Sequence, residues 1–275
     1  MKKKQIILCI LCISFLLSGL ALLLYSPWKT AALTTTYRQE ITRLKTYLDL
    51  ESAVTDTNLP DSSRPFPQLW EDCEAYNRLL FATAQEALSA QTITEAPLSP
   101  TNDGWQAEAF GYLSIPAIAL EAPVYLGASE KNLERGGAVL GQTSLPLGGE
   151  NTNCVIAGHR SFQGAVLFRP IERLLPGDLV FFGNPWETLV YKVVETKIIS
   201  PGDIQDILIQ PGKDLLTLLT CAYPNDQRVL VLCERTEDAA CEKETVFARR
   251  TVLRKTRPWD WFRTIRESPC GYFTK

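Results

Sequence analysis

Histidine is almost missing from this chain. There is one in 275 residues, His159, so any chemistry through imidazole is confined to that position. A cationic surplus is missing too. The 28 Lys and Arg stand against 31 Asp and Glu, a net charge of -3, whereas nucleic-acid-binding domains usually carry a basic excess; no nucleic-acid partner is expected. One histidine and scattered cysteines give no metal-ligand spacing, and the glycines fit no nucleotide fingerprint. Gly148-Gly149 and Gly158 read as turn and close-packing glycines. Neither a metal nor an organic cofactor is expected.

One long apolar run is present. Met1-Lys-Lys-Lys4 is followed by an uncharged stretch from Ile6 to Tyr25. Twenty residues at about 1.5 Å each reach about 30 Å, the thickness of a bilayer's hydrocarbon core. A cleaved signal peptide usually has a shorter apolar region and a small-residue cleavage site, and Ser26-Pro-Trp-Lys29 is a poor one. The run is read as an uncleaved single-pass anchor. Its preceding lysines place the N-terminus in the cytoplasm and the rest of the chain outside the cell. Cys9-Ile-Leu-Cys12 lies inside the run and reads as two lipid-facing thiols.

Tyr37, Ile41, Leu44 and Leu48 recur at helical spacing. Pro60, Pro65 and Pro67 interrupt the chain beyond them, and Trp70 to Gln91 reads as a second helix. The Thr-, Pro- and Asn-rich stretch from Thr92 to Gly104 reads as a loop. From about Ala109 the texture changes to short strand-like runs: Phe110–Ile115, Leu120–Tyr125, Cys154–Ala157, Leu179–Phe182, Thr188–Val194, Leu215–Thr220 and Val229–Cys233. Turn residues separate them, which suggests a closed β-barrel of about eight strands with added helices. Leu167 to Leu175 reads as a short helix stopped by Pro176-Gly177. The chain thus divides into five segments: a cytoplasmic tail (1–5), the anchor (6–25), a helical stalk or lid (26–105), the barrel (106–236) and a polar C-terminal extension (237–275). That extension holds Arg249, Arg250, Arg254, Lys255, Arg257, Trp259 and Trp261.

Outside the anchor stand Cys73, Cys154, Cys221, Cys233, Cys241 and Cys270, with no dense disulfide framework in their spacing. Cys221 closes the run Leu216-Thr-Leu-Leu-Thr-Cys221, with Arg228 just beyond, while His159 follows Asn153-Cys-Val-Ile-Ala-Gly158. Thiol, imidazole and guanidinium at strand ends read as a cysteine enzyme built on strands. The nucleophile is the thiolate, which an ordinary cysteine holds only above about 8.5, and a cation within about 4–6 Å favours a charged acid form. Arg160 is a rival to Arg228 by its closeness to His159. Thr220-Cys221-Ala222 lacks the caspase and papain signatures.

Several short motifs, in order, resemble the sortases, the membrane-anchored transpeptidases of Gram-positive cell surfaces. They are Gly111-Tyr-Leu-Ser-Ile-Pro116, Pro123-Val-Tyr-Leu-Gly127, Gly141-Gln-Thr-Ser-Leu-Pro146, Gly148-Gly-Glu-Asn-Thr152, Ala157-Gly-His-Arg160, Leu167-Phe168, Pro176-Gly-Asp178, Leu208-Ile-Gln-Pro-Gly212 and Thr217-Leu-Leu-Thr-Cys221. The 141–152 run and the long pre-barrel segment look most like class C, the pilus-polymerising sortases. Three features depart from that class: no Asp-Pro-aromatic lid motif, no second apolar span, and a short Ala222–Gln227 loop.

The resemblance implies that Cys221 attacks a Leu-Pro-x-Thr-Gly-like sorting signal after Thr, forming a thioester. Arg228 would stabilise the oxyanion or clamp the carbonyl, and His159 would protonate the leaving amine. Thr220 and Ala222 would touch substrate, Ala222 through its N–H. The partners implied are pilins or surface proteins carrying the signal. The acceptor amine would be a pilin lysine or the amine of a cell-wall precursor. A housekeeping sortase, which anchors surface proteins to peptidoglycan, and an idle membrane-tethered binding domain are the alternative readings. Specificity is expected in Ser200 to Leu215.

Overall fold

The computed structural model describes residues 2–55, 64–223 and 226–236. The expected extension over 237–275, with Cys241 and Cys270, lies outside the described residues.

Helix α1 runs without a break from Lys2–Thr55, where the sequence suggested an anchor and a separate helix near Tyr37. At about 1.5 Å per residue it is about 80 Å long. Pro27 lies inside it. A proline deletes one i→i−4 hydrogen bond, but Leu22–Leu24 before it and Ala31–Leu33 after it favour helix. The apolar part is exposed along its length and is long and apolar enough to cross a membrane. Beyond Ser26 the helix changes character. Tyr37, Ile41 and Leu44 are buried, and Arg38 reaches Glu121 at 3.6 Å.

Helix α2 covers Pro67–Ala82, nine residues short of the Gln91 end suggested by composition. No Gly or Pro stops it. Ala84 and Gln85 turn into the left-handed region, at φ 48° and 55°, and the buried Gln85 side chain becomes a strut. Its Nε2 donates to the Gln142 carbonyl at 2.9 Å, and its Oε1 accepts from Ile209 N–H at 2.7 Å. Asn77 grips the Leu145 backbone in both directions, at 3.1 and 2.7 Å. Tyr47, Phe66, Trp105, Phe110, Trp186 and Trp70 then form a chain of ring contacts with centroids 5.0–6.2 Å apart. Burying a side chain of this kind contributes about 1.5–3 kcal/mol, so the pre-barrel segment is part of the core.

The strands are β1 Gly111–Ile115, β2 Leu120–Leu126, β3 Gly137–Val139, β4 Thr152–Ala157, β5 Ser161–Phe162, β6 Ala165–Val166, β7 Leu179–Gly183, β8 Thr188–Ile199, β9 Asp214–Cys221 and β10 Arg228–Arg235. A short helix α3, Glu130–Arg135, precedes β3. Eight strands close a barrel in the order β1-β2-β3-β4-β9-β10-β8-β7, and β5-β6 is a separate hairpin. The expected helix over 167–175 is a 3₁₀ turn, Arg169–Arg173. β3 and the hairpin are additions to the strands expected.

Strand alternation sorts side chains between two faces. Leu216 and Leu218 of β9, Cys154 and Ile156 of β4, and Val229 and Val231 of β10 join the main core. Val155, Ala157, Leu219, Leu230 and Leu232 point the other way. They form a second apolar cluster with Ala138, Leu140, Ile199 and Ile207. Leu88 and Ile93, from the loop after α2, pack onto it.

Candidate active site

β4 and β9 lie side by side and parallel, with Ala157 opposite Leu219. Just past that pair the chains stay tied. Gly158 N–H donates to the Leu219 carbonyl at 3.0 Å, and Thr220 Oγ1 donates to the Gly158 carbonyl at 2.8 Å. His159 and Cys221 each stand two residues beyond the Ala157–Leu219 pair, so they leave the same end of neighbouring strands. On the other side of β9 the antiparallel β10 sets Arg228 directly opposite Cys221. Strands are about 4.8 Å apart, so the thiol sits between the histidine and arginine strands. By alternation Cys221 shares the face of Leu219, and Arg228 that of Leu230. The three groups therefore stand at one end of the second apolar cluster.

Gly158 is needed for this arrangement. A Cβ there would fall 2.3 Å from the Phe168 ring, so only glycine lets the ring pass under the backbone carrying His159. Phe168 in turn donates its N–H to the His159 carbonyl at 3.0 Å. The imidazole lies parallel to Phe162, with ring centroids 5.5 Å apart and planes at 9°. Its Nε2 is buried and has no hydrogen-bond partner among the described residues. Cys221 is a partly exposed free thiol. Arg228 is partly buried and donates from Nη1 to the Gln227 carbonyl at 2.9 Å.

Arg160, the rival cation, has another place. Its Nη1 donates to Glu172 at 2.7 Å and to the main-chain carbonyl of Cys221 at 3.4 Å. It thereby ties the Cys221 backbone to the Arg160–Glu172 pair. The two residues expected to touch substrate are otherwise engaged. Thr220 is buried with its hydroxyl committed to Gly158, and Ala222 is buried with its N–H donated to the Gln227 carbonyl at 3.0 Å. The alternation that turns Cys221 outward turns Thr220 inward. The supporting roles of Phe162, Phe168 and Arg160 are not readable from the sequence; the Gln163-Gly164 turn is the one signal for the hairpin.

The remaining described thiols outside α1 are unlike Cys221. Burial raises Cys73 to about 12, helped by Asp72 and Asp103, and raises Cys154 and Cys233 further still. At the other end of β9, Asp214 is raised above the usual carboxylate value by burial. Hydrogen bonds from Gly149 N–H, at 2.7 Å, and from the Tyr191 hydroxyl, at 3.1 Å, oppose this. Among the described residues no group of three or more His, Cys, Asp and Glu is placed to hold a metal ion.

Residues 113–236 match the family model for the sortase domain. Sortase A of Streptococcus agalactiae serotype III (strain NEM316) is 27% identical over 158 residues, covering 55% of this chain and 63% of that relative. The chain thus spans less than two thirds of that curated relative's length. Among solved structures, Sortase C1 of GBS Pilus Island 1 superposes with a TM-score of 0.57 at 28% identity, over 73% of this chain and 92% of that one. Sortase C from Clostridium perfringens SM101 gives 0.56 at 31% identity, over 72% and 98%. The closed barrel with its helical preface, and near-complete coverage of a solved sortase at 31% identity, lead to one conclusion: this chain belongs to the sortase family.

Proposed function

We propose that the protein is a membrane-anchored cysteine transpeptidase that cuts a Leu-Pro-x-Thr-Gly-like sorting signal and passes the acyl group to an amine, the lysine of a pilin subunit. The observation that carries this reading is the placement of His159, Cys221 and Arg228 at the ends of three adjacent strands, at one end of the second apolar cluster. Cys221 as thiolate adds to the Thr carbonyl. Arg228 faces the developing oxyanion, where one such donor typically supplies about 10²–10³ in rate. The tetrahedral intermediate collapses as the C–N bond breaks. His159 gives its proton to the departing glycine amine, leaving a thioester. An incoming amine then gives a proton to the neutral His159 and attacks the thioester, forming a new amide and returning the thiolate.

The partly exposed Ala157 and Leu219 beside the site suit the leucine and proline of the signal. Ile199, just before the 200–215 connection, and Ile207, within it, tie that connection to the same cluster, and this is where specificity is assigned. Leu88 and Ile93 pack on that cluster, and the 84–96 segment, held by Gln85, acts as a partial lid over it. The apolar half of α1 crosses the membrane once, with Lys2–Lys4 in the cytoplasm and the barrel outside. The pilus role rests on likeness to sortases C and on the pre-barrel segment packed into the core.

The test uses the full chain in detergent micelles with a quenched sorting-signal peptide. Cleavage that disappears in Cys221→Ala, and becomes peptide joining when a pilin-derived lysine peptide is added, supports the reading. Joining only to cell-wall-type amines would replace it with wall attachment. No cleavage by a folded chain whose 84–96 segment has been cut out would favour an idle binding domain.

A further inference from the structure

We propose that Phe162 is the positioning residue for His159, and that the turn of α1 just beyond its apolar run holds Phe162 in place. The inference rests on the role given above to His159. A general base or acid ordinarily needs a third group to orient it, usually through a hydrogen bond. Here Nε2 is buried without a partner, and the contact that fixes the ring plane is the parallel stack on Phe162, centroids 5.5 Å apart at 9°. Offset aromatic stacking in this distance range is attractive and strongly dependent on geometry. It orients the ring without using a nitrogen, so the ring plane is set while Nε2 is committed to no other described residue.

Phe162 sits on the smallest sheet of the molecule. β5 and β6 pair at Ser161–Val166 and Phe162–Ala165. Gln163 and Gly164 make the two-residue turn, both at positive φ, 47° and 86°, as hairpin turns of this length require. Two strands of two residues are not stable by themselves, so the hairpin keeps its shape only by docking. Its base is closed by Leu167 and Arg169 N–H, both donating to the Arg160 carbonyl at 3.1 Å. Its outer edge and tip rest on α1. Ser26 Oγ donates to the Gly164 carbonyl at 2.7 Å, and Thr30 Oγ1 accepts from Val166 N–H at 2.9 Å. A Cβ on Gly164 would meet the Tyr25 ring at 2.7 Å, so the helix lies against bare backbone. Tyr25 ends the apolar run. The residues that leave the bilayer first are therefore those that hold the hairpin, and the hairpin holds the imidazole.

Because His159 is the only histidine, its ring gives one histidine signal in an NMR spectrum of the full chain, selectively labelled at histidine, in micelles. Stacking on Phe162 displaces that signal from its position in the urea-unfolded chain. In Phe162→Leu the signal is expected to move towards the unfolded position. In Phe162→Tyr, which keeps the ring, it is expected to stay. Thr30→Val, which removes the acceptor for Val166 N–H, is expected to give a smaller shift in the same direction. It reports on the same link even where Phe162→Leu does not fold. In the peptide assay Phe162→Leu should lose about 10²-fold in kcat, the scale of a misplaced catalytic group, with KM little changed, and Phe162→Tyr should restore it. A folded Phe162→Leu whose signal coincides with the parent's overturns the positioning role. An unmoved signal in Thr30→Val, or one moved equally by the remote Leu79→Ala, overturns the link to α1. The signal needs no turnover, so a stacked imidazole in a chain that joins no peptide would defeat the proposed function and leave this proposal standing.

Discussion

Arg160 holds Cys221 by its main chain: the guanidinium Nη1 that pairs with Glu172 at 2.7 Å also donates to the Cys221 carbonyl at 3.4 Å. Arg228 stands across the strand pair, on the side chain's own face. Two arginines thus neighbour one cysteine, Arg160 bonded to its carbonyl and Arg228 opposite it on β10.

The two should separate on mutation. Arg228→Lys keeps the charge but loses the planar fork, and is expected to lower kcat by about 10²–10³ with an unchanged melting temperature. Arg160→Gln loses a partly buried ion pair and a carbonyl contact, and should cost about 1 kcal/mol of stability with a smaller fall in kcat. Parallel thermal melts and peptide-cleavage kinetics decide. Equal kinetic losses would mean that Arg160 also faces the substrate.

Gly158→Ala places a methyl 2.3 Å from the Phe168 ring. Overpacking of this kind costs about 1–3 kcal/mol, and relief requires the backbone before His159 to move. Chemical denaturation should show the loss of stability. The folded variant should show a further loss of kcat that Phe168→Leu, by making room, partly restores. A stable, fully active Gly158→Ala would show that the strand end tolerates displacement.

The 84–96 segment should compete with substrate for the second apolar cluster. Gln85→Ala removes two hydrogen bonds, at 2.9 and 2.7 Å. At about 0.5–1.5 kcal/mol net for each, the docked segment loses roughly tenfold in population relative to undocked. The expected result is a higher kcat/KM for a short sorting peptide, with Ile93→Ser acting in the same direction. A kcat/KM that falls or stays level in both variants would show that the segment is only structural.

At pH 8 iodoacetamide should modify Cys221 in the folded chain and spare Cys73, Cys154 and Cys233, as read by peptide mass spectrometry. The same burial makes stability pH-dependent. The folded thiols are raised from their ordinary value of 9.0, Cys73 to about 12 and the other two further. In the unfolded chain they lose protons first. Stability from these groups is therefore full below about pH 9 and declines as pH rises above it. Urea midpoints between pH 8 and 9.5, a window below tyrosine ionisation, should fall. The fall should be shallower in Cys73→Ala/Cys233→Ala.

The site was legible to the extent that chemistry and strand patterning carry it. The apolar runs ending at Cys221 and beginning after Arg228 predict strands, and the structure makes them partners. Other features left no periodic signal. β3 is three residues, Gly137–Val139, too short to alternate visibly. α2 stops at Ala82 because Gln85 is drawn into hydrogen bonds with Gln142 and Ile209, both distant in sequence. The anchor and the helical repeat near Tyr37 are separate patterns in the sequence, yet α1 carries both, with Pro27 inside it. Thr220 looked like a substrate contact because it adjoins Cys221, and that adjacency is what turns it to the opposite face.

β4 and β9 are parallel, and a parallel pair cannot be joined by a tight turn. Everything from Gly158 to Lys213 must be laid down and folded before Cys221 can arrive beside His159. Pairings this distant in sequence form late. A chain made only as far as Lys213 therefore holds His159 without the strand that carries Cys221. On the proposed function, the site is put together in the final step of assembly, when β9 joins β4, so the order of folding keeps thiol and imidazole apart until the barrel closes.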